Sequence, residues 1–313
     1  MSDLVGVALA AGAGTRLRPL TRLCPKALCP VGNVALLDRA LSHLRAHTSD
    51  VAVNAHHHAD RIAAHVGDAA HLSIERPEAL GTAGALGQLR DWIAGRDVLL
   101  LNADTYLTGP DGHGGTVHAA QHGDDGPVDH GGALQTLVGG WDHERCRLLV
   151  VPTGPPGDFV LTGRPVRYVG ACLLPGLLVA TLRATPSGLY EALWRAELDA
   201  GRLELVRHPG TAIDCGTPPD YLRANLHASG GRSVVGDGAV VEGELDRCVV
   251  WPGAHVGPDE RLSECIRAGT RTDAVTVPAP LEGRGTGEAE TTPGHAPAPD
   301  APGRRPPPGV RRR

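Results

Sequence analysis

The chain has 313 residues, of which 41% are hydrophobic and 21% are charged, and its formal net charge is −5. This length and apolar content allow one large or two modest domains with a sizeable core. The small net charge gives no reason to expect nucleic acid or an anionic membrane as a partner, and no apolar run reaches the length of a membrane helix or signal core. Seven cysteines without Cys-x-x-Cys spacing indicate reduced thiols, so we expect a cytoplasmic protein.

The first predicted element is a buried strand, because an apolar run from Val5 to Ala10 ends in Gly12-Ala13-Gly14. Glycines let a loop bring its backbone N–H groups close to phosphate oxygens. A dinucleotide-binding fingerprint is excluded, since Leu17 stands where its last small residue belongs and Pro19 argues against a helix. No Gly-Lys-Ser/Thr sequence occurs, so a Walker loop is excluded too. The loop predicts a polyphosphate ligand.

Basic residues follow this loop, and one of them is the only lysine of the chain. Arg16 and Arg18 lie within the loop, and Lys26 follows in Pro25-Lys26. Arginine is a broad planar fork, whereas lysine is a compact point charge on a slim stem. A single lysine among many arginines indicates a position where the planar guanidinium group of arginine cannot replace a compact ammonium group. Arg16 and Lys26 are therefore candidate phosphate ligands, and Arg18 is equally well a solvated side chain.

The next elements alternate between strands and helices. Apolar runs predict strands at Val51 to Asn54, Leu72 to Ile74, Val98 to Leu101 and Leu148 to Val151. Apolar residues at helical spacing follow the glycine loop and follow Gly81-Thr82-Ala83-Gly84. This rhythm predicts an α/β fold with a mostly parallel sheet, whose active site lies at the carboxyl ends of the strands.

Two later segments are candidates for the same site. The small residues Gly81, Thr82 and Gly84 allow a base or a phosphate to approach closely, although an ordinary glycine turn with Thr82 as helix cap fits as well. Asp104 follows a strand, and Asp214 precedes Gly216 and a capped helix. Each aspartate alone fits a loop cap or turn residue better, since Asp favours such places, but two carboxylates with phosphate oxygens would suit Mg²⁺.

The glycine loop and the segment around Lys26 together read Leu-Ala-Ala-Gly-x-Gly-Thr-Arg-Leu-x-Pro-Leu-Thr and Pro-Lys-x-Leu-x-Pro-Val. These two segments resemble the signature sequence of sugar-1-phosphate nucleotidylyltransferases. The resemblance extends to about Gly269. It implies a Rossmann-like, GT-A-like nucleotidyltransferase fold and a reaction of a nucleoside triphosphate with a sugar-1-phosphate that releases pyrophosphate and forms a nucleotide sugar. Guanylyl transfer to mannose, uridylyl transfer to a muramic sugar and thymidylyl transfer to glucose all remain open.

The resemblance also assigns residues. It implies catalytic roles for Arg16 and Lys26, Mg²⁺ binding by Asp104 and Asp214, and contacts with the nucleotide by Ala10, Ala11, Gly12, Gly14, Thr15, Gly81, Thr82 and Gly84. Many relatives hold the sugar phosphate with a second lysine, which this chain lacks. We expect a replacement between Pro156 and Gly170, where Arg164 and Arg167 occur, and we expect Asp158, Gly170 and Glu191 to contact the sugar. Asp158 is equally a turn residue, and Glu191 a surface charge.

Histidines occur in two groups without converging spacing, at His56 to His58 and between 113 and 130, so we expect no zinc site. The catalytic domain is predicted to span 1–228, with a flexible insertion at 109–132. Valine-glycine steps at near-hexapeptide intervals resemble a short left-handed β-helix at 229–269, which would allow a homo-oligomer. Residues 270–313 are rich in proline and glycine and are predicted to be disordered. The alternative function is a non-catalytic regulatory subunit that binds nucleotide sugars.

Overall fold

The computed structural model describes residues 4–110 and 132–281. The predicted insertion at 109–132 therefore lies outside the described residues except at its ends, and so does the predicted tail from residue 282 onward. Within the described residues, no helix is both long and apolar enough to cross a membrane.

The strands, in chain order, are β1 (Leu4–Leu9), β2 (Pro30–Val31), β3 (Val34–Ala35), β4 (Val51–Ala55), β5 (His71–Ile74), β6 (Asp97–Asn102), β7 (Thr105–Leu107), β8 (Cys146–Pro152), β9 (Phe159–Leu161), β10 (Arg164–Leu174), β11 (Leu203–Arg207), β12 (Ala212–Asp214), β13 (Val234–Val235), β14 (Val240–Val241), β15 (Glu244–Asp246), β16 (Val249–Val250), β17 (His255–Val256), β18 (Arg261–Ser263), β19 (Cys265–Ala268) and β20 (Val275–Pro278).

The α-helices are α1 (Leu20–Leu23), α2 (Leu36–Arg45), α3 (Ala59–Val66), α4 (Gly81–Gln88), α5 (Arg90–Ile93), α6 (Gln135–Val138), α7 (Gly176–Val179), α8 (Arg195–Asp199) and α9 (Pro218–Ala228). Short 3₁₀ turns span Thr15–Leu17, Lys26–Leu28 and Gly67–Ala69, and a π-helical turn spans Tyr190–Trp194.

A mixed, mostly parallel sheet forms the centre of the fold, as the sequence predicts. Its strand order is β11-β8-β10-β6-β1-β4-β5, with β9 paired to the edge of β10. Strand β10 is antiparallel to both β6 and β8, whereas β1, β4, β5 and β6 run parallel. The four strands expected from apolar runs are all present as β4, β5, β6 and β8.

Helices cover both faces of the sheet, because apolar residues in its strands alternate between the two sides. Val98 and Leu100 pack with α4 and α5, whereas Leu99 and Leu101 pack with α2 and α3. This three-layer arrangement holds the strands rigidly. The loops at their carboxyl ends, where chemistry is expected, are therefore supported by a packed core.

Beyond α9 the chain forms short parallel ladders, in which β13 pairs with β16 and β16 with β19, β14 pairs with β17, and β15 pairs with β18. These ladders share one apolar cluster with α9, in which Tyr221 and Trp251 lie. The Tyr221 hydroxyl donates a hydrogen bond to the carbonyl of Pro30 and accepts one from the indole N–H of Trp251 (3.0 Å). The ladders are therefore joined to the first segment of the chain.

One prediction about the end of the chain is wrong in its boundary. Residues 270–281 were assigned to a disordered tail, but they include β20, which pairs antiparallel with β19. The valines at 275 and 277 alternate as in a strand, and Val277 is buried in the same cluster as Trp251. Most of the proline and glycine residues that suggested disorder follow this strand in the sequence.

Candidate active site

A buried polar network fixes the loop that follows β1. The backbone N–H of Ala10 donates to Asn54 Oδ1 (2.7 Å), and Asn54 Nδ2 donates to Glu75 Oε1 (2.6 Å). The other oxygen of Glu75 accepts the N–H of Leu80 (2.7 Å), and Glu75 is only 1% exposed. One carboxylate thus ties the Ala10 loop to the loop before α4. No sequence pattern marks Asn54 or Glu75 as part of the site, although each stands at the end of a predicted strand.

Gly14 is required by the backbone of this loop. Its φ is +59°, and a Cβ there would lie 2.8 Å from the Thr21 side chain and 3.0 Å from Lys26 Cβ. The carbonyl of Gly14 accepts the Thr21 hydroxyl (2.9 Å), and Thr15 begins the short 3₁₀ turn that follows. Gly14 therefore has a conformational and packing role, which brings the segment around Lys26 against the loop.

The predicted charged residues converge on one another. Lys26 Nζ lies 2.7 Å from Asp104 Oδ2 and 3.2 Å from Asp214 Oδ1. Arg16 lies 3.3 Å from the other oxygen of Asp214. The two aspartates are brought together because β7, directly after Asp104, pairs antiparallel with β12, which ends at Asp214. Four residues that are distant in the sequence thus form a single cluster.

Lys26 is buried, with 7% of its side chain exposed, whereas Asp104 and Asp214 are 32% and 45% exposed. Burial opposes the charged form of Lys26, but attraction and hydrogen bonding by Asp104 and by Asp214 outweigh it, so the pKa of Lys26 is raised. The ammonium therefore stays charged and is held in place. The carboxylates face solvent on their other side.

The aspartates suit the Mg²⁺ ion that the sequence predicts. Mg²⁺ commonly uses one or two protein carboxylates and completes its shell with phosphate oxygens and water. Asp104 and Asp214 are adjacent and partly exposed, and no third acidic group is required. Among the described residues, no group of three or more His, Cys, Asp or Glu side chains could hold a metal by itself. A bound phosphate would thus have to supply the remaining ligands, and the Mg²⁺ assignment stays a prediction.

Two cavities meet at this cluster. The first, the glycine-loop cavity, has a volume of about 220 Å³ and is lined by Leu9, Ala11, Gly12, Asn54, Ala79, Gly81, Thr82, Asn102 and Asp104. The second, the β10 cavity, has a volume of about 300 Å³ and is lined by Arg16, Asn102, Asp104, Thr105, Asp158, Arg167, Tyr168, Val169, Gly170, Ala212 and Asp214. They share Asn102 and Asp104. Asn102, which the sequence analysis did not select, ends the same strand that positions Asp104.

The three small residues before and within α4 have different surroundings. Gly81 and Thr82 line the glycine-loop cavity, and the Thr82 hydroxyl accepts the N–H of Leu189 (2.8 Å). Gly84 does not line it, and a Cβ on Gly84 would lie 2.3 Å from the carbonyl oxygen of Thr185. The contact of Gly84 with a neighbouring backbone explains why it is small. Its predicted contact with the nucleotide has no geometric support in this cavity.

Of the three residues expected to contact the sugar, two line the same cavity and one does not. Asp158 and Gly170 both line the β10 cavity, and Asp158 accepts the N–H of Tyr168 (3.0 Å), so it also fixes the β9–β10 connection. Gly170 has a φ of +83°, and a Cβ there would lie 2.9 Å from the Asn102 side chain. Glu191 is exposed and lines neither cavity in the part of the chain that the structure describes. Its sugar contact stays a prediction.

The sequence predicts that a residue between Pro156 and Gly170 replaces the second lysine that many relatives use. Of the two arginines in this segment, Arg167 lines the β10 cavity and Arg164 does not. Strand β10 is bulged between Tyr168 and Cys172, next to Arg167. In the described residues, Arg167 has no carboxylate partner, whereas Arg16 and Lys26 are both ion-paired. Arg167 is therefore the cation of this cavity that is available to an anion.

The histidine run after β4 supports the loops. His56 Nδ1 lies 3.0 Å from the carbonyl of Glu75, and His57 Nδ1 lies 3.1 Å from the carbonyl of Ala11. His58, with a φ of +54°, begins α3. The three side chains have separate roles in this segment.

Comparison with known proteins finds a matching family model and several similar chains. The family model described as nucleotidyl transferase matches residues 5–123. An N-acetylmuramate alpha-1-phosphate uridylyltransferase from Caulobacter vibrioides is 29% identical over 250 residues, which cover 70% of this chain and 95% of that relative. A glucose-1-phosphate thymidylyltransferase from Streptomyces griseus is 28% identical, and the alignment covers 84% of this chain and 78% of that relative.

The solved structure of a mannose-1-phosphate geranyltransferase from Thermus thermophilus aligns with a TM-score of 0.62, over 88% of this chain and 95% of that one. The identity of 17% supports the fold alone. The family match covers the glycine loop, Lys26 and Asp104, and the relatives extend it over most of the described residues. The chain is thus similar to the nucleotidyl transferase family over residues 5–123, and to proteins named as sugar-1-phosphate nucleotidyltransferases over most of its length.

Proposed function

We propose that the protein transfers a nucleotidyl group from a nucleoside triphosphate to a sugar-1-phosphate, which releases pyrophosphate and forms a nucleotide sugar. The observation that carries the proposal is the junction of two cavities at Asp104, with Lys26 and Arg16 beside it. A reaction between two substrates needs two adjacent binding spaces and a charged group where they meet.

The nucleoside and its α-phosphate would occupy the glycine-loop cavity. Ala11, Gly12 and Gly81 leave room for a base or a phosphate close to the backbone. Arg16 is 65% exposed at the mouth of the site and can bind the departing pyrophosphate. Lys26 lies deeper, where it can hold the reacting phosphates. The predicted contributions of Ala10, Gly14 and Thr15 are then to shape the loop that receives the triphosphate.

The sugar-1-phosphate would occupy the β10 cavity, where Arg167 can bind its phosphate in place of the missing lysine and Asp158 can accept a bond from a sugar hydroxyl. An oxygen of that phosphate would attack the α-phosphorus, and the bond between the α-phosphorus and the bridging oxygen of pyrophosphate would break. No proton transfer and no covalent intermediate with the protein are needed. Positioning and charge stabilisation would thus supply most of the catalysis.

Mg²⁺ bound to Asp104 and Asp214 would neutralise phosphate charge. The remaining proposals concern the rest of the chain: the boundary between domains lies near residue 228, the ladders after α9 form a left-handed β-helix that can mediate self-association, and the protein is cytoplasmic.

The experiment is a measurement of pyrophosphate release by the full chain with Mg²⁺, for each nucleoside triphosphate combined with each of a panel of sugar-1-phosphates. The panel includes the substrate pairs that the names of the relatives give: the uridine nucleotide with N-acetylmuramate 1-phosphate, the guanosine nucleotide with mannose 1-phosphate, and the thymidine nucleotide with glucose 1-phosphate. Asp104→Asn should abolish the release, and Asp199→Asn, on exposed α8, should not change it. Binding of nucleotide sugars without turnover of any pair would contradict the proposal and favour the regulatory subunit.

A further inference from the structure

The lining of the glycine-loop cavity comes from segments that are distant in the sequence. Ala11 lines it from the loop after β1, and Ala79 and Gly81 line it from the loop before α4 and from the first residue of that helix. Asn54 lines it as well, whereas Glu75, which binds Asn54, does not. The relative position of the two loops therefore sets the shape of the space that we propose for the nucleoside.

A chain of three hydrogen bonds joins these two loops. The N–H of Ala10 donates to Asn54 Oδ1 (2.7 Å), Asn54 Nδ2 donates to Glu75 Oε1 (2.6 Å), and the N–H of Leu80 donates to Glu75 Oε2 (2.7 Å). Because both ends of this chain are backbone donors, the two side chains between them must supply three acceptors and one donor. One amide and one carboxylate meet this requirement. Two amides leave two donors facing each other, and two ionised carboxylates leave two acceptors facing each other.

Stability alone does not account for a carboxylate at this position. Glu75 is only 1% exposed, and no ion pair joins it to a cation within the described residues. A buried carboxylate destabilises a fold unless hydrogen bonds replace its hydration. The backbone of Glu75 is also fixed, since its N–H donates to the carbonyl of Ala55 (2.8 Å) and its own carbonyl lies 3.0 Å from His56 Nδ1. The carboxylate is therefore a rigid point to which both loops are attached.

We propose that Glu75 is a positioning residue for the nucleotide, which acts through Asn54 and through the N–H of Leu80 and contacts no substrate itself. It holds the loop of Ala10 and the loop before α4 at the separation that admits the nucleoside. This inference rests on the proposed function, in which the nucleotide occupies the glycine-loop cavity. Neither Asn54 nor Glu75 lines the β10 cavity, so the effect of Glu75 is confined to the nucleotide and does not extend to the acceptor.

An exchange of the two side-chain groups tests the network. Glu75→Gln places two donors against each other, and Asn54→Asp places two acceptors and a second negative charge against each other. The double variant, Asn54→Asp with Glu75→Gln, again has one carboxylate and one amide. The carboxylate at position 54 would accept from Ala10 and from the amide at position 75, whose oxygen would accept from Leu80. Every hydrogen bond is then restored in a protein with the wild-type net charge.

Calorimetry gives the Kd of the nucleoside triphosphate, and pyrophosphate release with the best substrate pair gives the KM of each substrate. Glu75→Gln should raise the Kd and the KM of the triphosphate about tenfold or more, as one unmade buried hydrogen bond predicts, and should change the KM of the sugar-1-phosphate less than about twofold. The double variant should bind the triphosphate about tenfold or more tightly than the sum of the two single effects predicts. Glu78→Gln, at an exposed glutamate of the same loop that lines neither cavity, is the matched control and should change neither constant.

The outcomes separate positioning from a structural role. The stoichiometry in calorimetry gives the folded fraction, so affinities are compared for folded protein. Unchanged triphosphate affinity in the folded single variants, equal increases in the KM of both substrates, or additive effects in the double variant would overturn this inference and leave the proposed function intact. Loss of folding in both single variants would assign Glu75 to stability and overturn it as well. Absence of pyrophosphate release from every substrate pair, together with the expected changes in triphosphate affinity, would refute the proposed function and support the positioning role.

Discussion

Replacement of Lys26 by methionine tests the central charge of the site, because methionine keeps the apolar stem and removes the ammonium. Two carboxylates lose a cation at 2.7 and 3.2 Å, and Asp104 loses the only ion pair found for it within the described residues. Breaking a fully buried pair costs about 3–5 kcal/mol. Since Asp104 and Asp214 are 32% and 45% exposed, water can solvate them. We therefore expect a loss of only about 1–2 kcal/mol in the free energy of unfolding.

The effect on turnover should be much larger than the effect on stability. A cation that binds phosphates where charge develops contributes about a thousandfold to the rate, so kcat should fall by about that factor. Urea unfolding gives the stability, and pyrophosphate release with the best substrate pair gives kcat. Lys26→Arg should also be impaired, since the side chain is buried and its Cβ already lies close to the Gly14 backbone.

A double variant separates structure from chemistry. Lys26→Met with Asp104→Asn removes the carboxylate left without a cation, so stability should recover in part while kcat stays low. The reasoning is refuted if folded Lys26→Met protein retains kcat within about threefold of wild type, since the loss of a catalytic cation has a much larger effect on the rate.

Four further predictions concern other parts of the structure. Gly84→Ala should lower the free energy of unfolding in urea by about 1–3 kcal/mol, because the new Cβ would lie 2.3 Å from a backbone carbonyl oxygen. Gly12→Ala should change the free energy of unfolding by less than about 0.5 kcal/mol, because no atom lies within 4 Å of the new Cβ, and it should weaken nucleotide binding measured by calorimetry. Tyr221→Phe should cost about 1–3 kcal/mol, since it leaves the buried indole N–H of Trp251 without its acceptor and removes one donor to the Pro30 carbonyl; an unchanged urea midpoint would contradict this. The hydrogen bond that His65 donates to the carboxylate of Asp38 raises the pKa of His65. The stabilisation from this pair is therefore present below about pH 6.5 and is lost as the pH rises through the raised value; Asp38→Asn should lower that pKa in an NMR titration. Exchange of Mg²⁺ for EDTA should weaken nucleotide binding at least about tenfold in calorimetry, and equal affinity without the ion would contradict the metal assignment.

The sequence predicted the sheet well because its strands have strong local patterns. The runs that became β4, β5, β6 and β8 are apolar and bounded by turn residues, and such runs seldom form anything else. Strand β20 was missed because two alternating valines in a proline-rich surrounding carry little local signal. Their strand forms by pairing with β19 and by burial of Val277, which are contacts between distant parts of the chain.

The residues of the candidate site also form two groups, those that the sequence could identify and those that it could not. The glycine loop and Lys26 could be found because their residue types are unusual in their local context, whereas Asp104 and Asp214 were found through the resemblance to a known family. Glu75 and Asn102 could not, since an acidic or amide residue at the end of a strand is common. Glu75 became part of the site only when the fold placed it beside Asn54 and Leu80.

The charges of the central cluster explain why a further cation is needed. Lys26 and Arg16 are matched by Asp104 and Asp214, so the four side chains together have no net charge. A nucleoside triphosphate and a sugar phosphate would each bring negative charge to this neutral cluster. Arg167 can offset the charge of the acceptor phosphate, but no comparable unpaired cation lines the glycine-loop cavity in the described residues. We therefore expect the triphosphate to bring its own positive charge as a bound divalent cation, and we expect the partly exposed carboxylates of Asp104 and Asp214 to bind that cation.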